Sequence, residues 1–369
     1  MATPTRQGPG GGKLRGVEAG RGIAAVLVVL VHATDMLKGP TVLGGLPLDG
    51  LFKFGRAGVD FFFVLSGFII YHVHRGDLGR PGQLGSYAWK RFARIFPTYW
   101  VVLAALGVII LFYPERDPAT TSWGNIIAST FLLPRYQDPI LGVAWTLRHE
   151  LLFYLLFAGL ILNRTLGRLV LAIWAGFLLW QIGVFTFTLH PWFTGMAGYL
   201  PFRVFNFEFF FGMGVAVLLS RGTARAPGWF LGLGAALFLG NGLMESFGSV
   251  GPVEWPPHQL LYGVASAMAL YGAVGLERAG RLSVPNWLFA IGSASYSIYL
   301  THLIPLMTVA HFLPRLHGIV PLPRDPVFVL VVAGCVIAGI VFSRLVEQPL
   351  LRALRGPLRA RRLARATAP

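Results

Sequence analysis

Ten apolar runs punctuate the chain, near residues 17–37, 54–73, 96–113, 146–162, 169–188, 201–219, 229–247, 258–275, 286–311 and 326–345. Each is continuous rather than alternating and close to the length that crosses a bilayer, so each predicts a helix and not a barrel strand. The expected fold class is all-α: a polytopic membrane protein of about ten transmembrane helices. A Gly- and Pro-rich stretch over 1–15 predicts a disordered N-terminal tail, and an Arg-rich stretch over 350–369 a basic cytoplasmic tail. Residues 16–349 would form the membrane domain between them. The first run, with its basic flank and Val31-His32-Ala33, also resembles a cleaved signal peptide. The further spans that follow favour a retained helix.

Composition changes this picture little. The chain is 55% hydrophobic and 12% charged, with a mean hydropathy of +0.64, which excludes a water-soluble globular domain. The net charge of +16 raises the question of nucleic acid. However, the basic residues fall in short loops between spans, where membrane topology explains them. Placing the N-terminus in the cytoplasm puts most of the 31 Lys and Arg residues inside, and an even span count then returns the C-terminus to the same side. The lone cysteine, Cys335, lies in an apolar run, so no disulfide or thiol relay is expected.

The chemistry lies in polar residues that interrupt the spans. Arg21 and His32 are eleven residues apart, which aligns them on one helix face about 16 Å apart along the axis. Ionisable groups inside a membrane helix are costly and usually face protein or a water-filled path. With the N-terminus inside, His32 sits in the outer half. Asp60, the Trp145–Glu150 stretch, Arg203 and the Tyr299–His302 stretch reach a similar level on other spans. Packing alone could account for a buried histidine. Its match in depth to Glu150 favours a base oriented by a carboxylate, with Asp60 in support. Ser295, Tyr299 and His302 share a face at i, i+4 and i+7, suited to a sugar. Near the inner face, Arg91 and Arg94 join Arg21 at a level suited to phosphate groups. Glu347-Gln-Pro349 ends the last span, with Pro349 expected to stop the helix and Glu347 to pair with an inner arginine. The remaining histidines, at 72, 74, 190, 258, 311 and 317, have no metal-ligand spacing, so no metal is expected.

Together these residues resemble the acyltransferase 3 family of integral membrane acyltransferases. The matching elements are Arg21 with His32, Gly58-Val-Asp-Phe-Phe-Phe-Val-Leu-Ser-Gly-Phe68, Arg91-Phe-Ala-Arg94-Ile-Phe-Pro97, Trp145 to Tyr154, Ser295 to His302 and Glu347-Gln-Pro349. They follow in order across nearly the whole chain, and within the family bacterial exopolysaccharide acetyltransferases are most similar. The resemblance implies a bundle in the bacterial cytoplasmic membrane that moves a short acyl group, commonly acetyl from acetyl-CoA, to a sugar hydroxyl.

On that basis His32, Glu150 and Asp60 are the expected catalytic residues, and Arg21, Arg91 and Arg94 the donor-binding ones. Tyr299, His302, Arg203 and Trp145 are expected to hold the acceptor, a polysaccharide or lipid-linked sugar. Transfer would be direct or by way of an acetylated histidine. Peptidoglycan, O-antigen and macrolide-type acceptors are alternatives, their choice resting on outer loops such as 114–144 and 248–257. A sugar transporter or flippase is the alternative outside the enzyme class. Membrane lipids are the other expected partner, nucleic acid is not expected, and the sequence is silent on oligomeric state.

Overall fold

The structure, a computed structural model, describes residues 14–39, 42–111, 121–135, 137–188, 200–248, 256–317 and 323–354. Most of both expected tails and parts of the 114–144 and 248–257 loops, as well as His190, lie outside them. Among the described residues there are thirteen α-helices and no strands: α1 (Arg15–Leu37), α2 (Ala57–His74), α3 (Leu84–Leu111), α4 (Trp123–Thr130), α5 (Trp145–Leu162), α6 (Arg164–Thr188), α7 (Phe205–Ser220), α8 (Pro227–Ser246), α9 (Pro256–Arg278), α10 (Asn286–Ser293), α11 (Ser295–Thr301), α12 (Leu303–His317) and α13 (Arg324–Phe342). Eight helices are long and apolar enough to cross a membrane. Two of the ten expected spans correspond to shorter or broken elements: α7, and the pair α11–α12, bent by 41°.

Proline explains where sequence and structure part. Pro305 has no N–H to give the Thr301 carbonyl, so the expected 286–311 span bends at His302 and sets that residue at a corner. Pro97, expected at the entrance of the third span, instead lies inside α3, which begins at Leu84. The Tyr296 hydroxyl braces that region by donating to the Ile95 carbonyl at 2.8 Å. Pro349 does not stop the last helix. A single wide π turn over Ser343–Glu347 lies just ahead of it, and the chain stays helical to Leu354.

α1 runs through the middle of the bundle against α2, α9, α10, α11 and α13. Its first turn is capped from outside: the Glu277 carboxylate of α9 accepts from the Arg15 and Gly16 N–H groups at 2.6 and 2.7 Å, satisfying donors that a helix start leaves orphaned. α2 and α7 cross at Gly67 and Gly212. A Cβ at either would run into the other helix's backbone, at the Phe209 or Val64 carbonyl oxygen. Small residues at such a crossing bring two backbones together, which is how helices associate where lipid supplies no hydrophobic drive. Beside the crossing, Phe63, Phe153 and Phe209 form an aromatic core, with the Phe153 and Phe209 rings stacked at 4.3 Å.

Candidate active site

His32 lies half-buried on α1, and its Nδ1 is 2.9 Å from the Val28 carbonyl and 3.1 Å from Nε2 of His302. His302 is fully buried, and its Nδ1 is 3.1 Å from the Ile298 carbonyl. Carbonyls only accept, so each Nδ1 carries its proton, and His302 Nε2 must accept from His32. That network leaves Nε2 of His32 as a bare lone pair, which is the tautomer a general base needs. The break at Pro305 places His302 for this contact.

Two cavities meet beside these rings. One, of about 910 Å³, is lined by His32, Asp60, Trp145, Arg148, His149 and Arg203 among others. The second, of about 1440 Å³, is lined by Arg21, Arg91, Arg94, Glu150, Ser295 and Tyr296, with apolar walls from Phe62, Leu65 and Ile69. Arg21 and His32 thus face separate hollows along one helix. Val59 and Tyr299 belong to both linings, and the Tyr299 hydroxyl is tied to Thr146 Oγ1 at 2.8 Å and the Val143 carbonyl at 3.0 Å.

The three arginines of the larger cavity differ in what holds them. Arg94 donates to Glu347 Oε1 at 2.7 Å, and the Ser297 and Ser343 hydroxyls donate to Glu347 Oε2 at 2.6 and 2.8 Å. The π turn carries Glu347 to this position. Arg21 donates to Ser295 Oγ at 3.1 Å and stands 3.9 Å from Glu18. Arg91 has no carboxylate within 4.0 Å among the described residues. Its guanidinium lies over the Tyr154 ring at 5.4 Å, and its buried Nε has no hydrogen-bond partner.

Glu150 departs from expectation. It is not brought to His32; it faces the larger cavity and accepts from the Ser66 hydroxyl at 3.0 Å and from Tyr154 Oη. Helical geometry explains the difference, because Glu150 sits five residues along and about 140° around from Trp145. The cavity beside His32 instead receives His149, one residue earlier, whose Nδ1 donates to Asn206 Oδ1 at 2.9 Å. Asp60 does line the His32 cavity, and its buried carboxyl meets that of Glu208 on α7 in a side-chain hydrogen bond. Tyr299, Arg203 and Trp145 line that cavity, whereas His302 is the hydrogen-bonded partner of His32. His302's bond to His32, the place of His149 and the meeting of Glu208 with Asp60 were beyond sequence reasoning. Only the i, i+4 spacing of His149 from Trp145 hinted that the two share a face.

A family model described as an acyltransferase domain, of the acyltransferase 3 type, matches residues 14–344. The chain belongs to the acyltransferase 3 family. It is similar to the exopolysaccharide production protein ExoZ of Rhizobium meliloti, with 30% identity over 330 residues covering 85% of this chain and 93% of that protein. It is also similar to the acyltransferase MdmB of Streptomyces mycarofaciens, with 25% identity over 380 residues covering 95% of this chain and 93% of that one. No solved structure matches it significantly. The protein is an acyl-group transferase built from membrane-length apolar helices, which sets the transporter alternative aside.

Proposed function

We propose that this protein is an O-acyltransferase of the bacterial cytoplasmic membrane, with ten spans and both termini inside, that moves an acetyl or other short acyl group from its CoA thioester to a hydroxyl of an exopolysaccharide or lipid-linked sugar. The observation that carries this reading is a pair of adjoining cavities, one where an arginine cluster faces apolar walls and one where His32 presents a free imidazole nitrogen, with Val59 and Tyr299 in both linings. The exopolysaccharide role named for ExoZ supports the acceptor class.

The larger cavity suits an acyl-CoA. Its volume of about 1440 Å³ exceeds that of sites for drug-sized ligands. Arg91, unpaired, with Arg21 and Lys90 beside it, would hold phosphate oxygens, and Phe62, Leu65 and Ile69 would face a thin apolar arm. When bound, such a donor supplies an activated thioester. His32 Nε2 takes the proton of the acceptor hydroxyl, His302 holds the ring in place through Nδ1, and Trp145 offers a half-exposed aromatic face to a sugar. Tyr299 and Val59 stand where the acyl group must pass. Glu150, held by Ser66 and Tyr154, shapes the donor side.

The test is acyl transfer by purified protein in nanodiscs, read as thiol release dependent on a saccharide and as acetyl methyl signals in the proton NMR spectrum of the product. Thiol release unaffected by any saccharide would count against it. Arg91→Ala should raise the donor KM by about 10–100-fold with a smaller change in kcat, the loss of a charge-assisted contact. Steady-state kinetics at saturating acceptor would show it. His302→Leu should lower kcat by about 2–12-fold at unchanged KM values, the worth of one ordinary hydrogen bond. His302→Gln, whose amide oxygen can accept from His32 Nδ1, should recover most of that loss. If Gln and Leu behaved alike, His302 would be a packing residue only.

A further inference from the structure

The wall of the His32 cavity built by α5 and the segment before it carries more positive charge than proton transfer requires. Arg148, in the first turn of α5, is 5% exposed, and only its Nη1 is satisfied, by the Gln137 carbonyl at 2.9 Å and the Arg135 carbonyl at 3.4 Å. Its Nε and Nη2 are buried with no hydrogen-bond partner among the described residues. A buried guanidinium with two idle donors is costly unless something completes it. Arg203 lies over the face of Trp145 at 5.7 Å, and Arg135 lines the same wall. None of the three has a carboxylate within 4.0 Å among the described residues.

The acids of the cavity are engaged elsewhere or stand apart. Asp35 pairs with Lys38 at 3.1 Å, Glu245 accepts from Tyr262 at 2.7 Å, and Asp60 lies on α2. Asp138 is the acid on the arginine wall, beyond ion-pair distance of it. The positive end of the α5 dipole points the same way, adding to the field. A neutral sugar would leave Arg148 uncompensated. An anionic oxygen group would meet two or three forked donors, with an aromatic ring beside it for the sugar face.

Resting on the acyltransferase reading, we propose that Arg148, Arg203 and Arg135 bind an anionic group of the acceptor, so that the enzyme selects a negatively charged glycan over a neutral one. The charge is a carboxylate on the sugar or a phosphate of a lipid carrier, and both present the same oxygens to the wall.

Three acceptors separate the cases: a uronate-containing oligosaccharide, its carboxyl-reduced counterpart, and a neutral oligosaccharide on a polyprenyl diphosphate. With acetyl-CoA as donor, the wild-type enzyme should favour one or both charged acceptors over the reduced one by about tenfold or more in kcat/KM. Preference for the uronate assigns the charge to the sugar; preference for the diphosphate assigns it to the carrier. Arg148→Gln should bring the charged acceptors down to the level of the neutral one, leaving the donor KM in place. Arg203→Gln, a half-exposed position less able to disturb folding, should narrow the same gap. Equal use of all three acceptors by the wild type, or an equal loss on all three in both variants, would overturn the proposal while leaving acyl transfer standing. No transfer to any acceptor would count against acyl transfer itself. Calorimetric binding of the same compounds to the wild-type protein without donor then still decides the charge preference.

Discussion

Replacing His32 with alanine should lower acyl transfer by about 10²–10⁴-fold, the range that a positioned general base contributes. The donor KM should hardly move, because the arginines that would hold the donor line the other cavity. The size of the effect follows from the proton assignments. Val28 and Ile298 carbonyls fix the Nδ1 protons of His32 and His302, and the Nε2 of His32 alone is left as an acceptor at that pair. Measuring kcat and donor KM on protein of unchanged thermal stability checks it. A variant that kept most of its rate would shift attention to His149, the other imidazole on the same wall.

Gly212→Ala should cost about 1–3 kcal/mol or more of stability, since the added methyl group cannot fit without moving α2 or α7. Gly214, two residues along the same helix, has open space around its would-be Cβ, so Gly214→Ala is a matched control with little expected effect. Thermal unfolding in detergent, followed by the loss of monodisperse protein, reads the difference. Similar melting of the two variants would mean that the α2–α7 crossing is looser than it stands. Phe63, beside the crossing, lines the larger cavity and packs against Trp145 and His149 of the His32 cavity, so a shift there should reach both.

The helices were legible because a membrane admits few other structures: apolar runs of bilayer length name themselves. Breaks were less so. Pro305 and Pro349 are both visible in the sequence, yet one bends its helix and the other is absorbed by a wide turn, and only the surrounding packing decides which. Within the site, residues on a single helix were read well. Arg21 and His32 do face cavities along α1, and Glu347 does find an arginine, Arg94. Pairings between helices fared worse. Glu150 and His32 lie at depths that sequence can estimate, but rotation about the helix axis is what sends Glu150 to Ser66 and Tyr154. His302 reaches His32 because Pro305 turns the chain, a contact that no spacing rule contains. Asp60 and Glu208 come from α2 and α7, joined by the glycine crossing.

Val59 and Tyr299 stand where the two hollows adjoin, and this matters for the bilayer as an electrical insulator. A continuous water column through the bundle would let protons and small ions run down the voltage that the cell maintains. Tyr299, latched to Thr146 and the Val143 carbonyl, holds a side chain across the place where such a column would have to form.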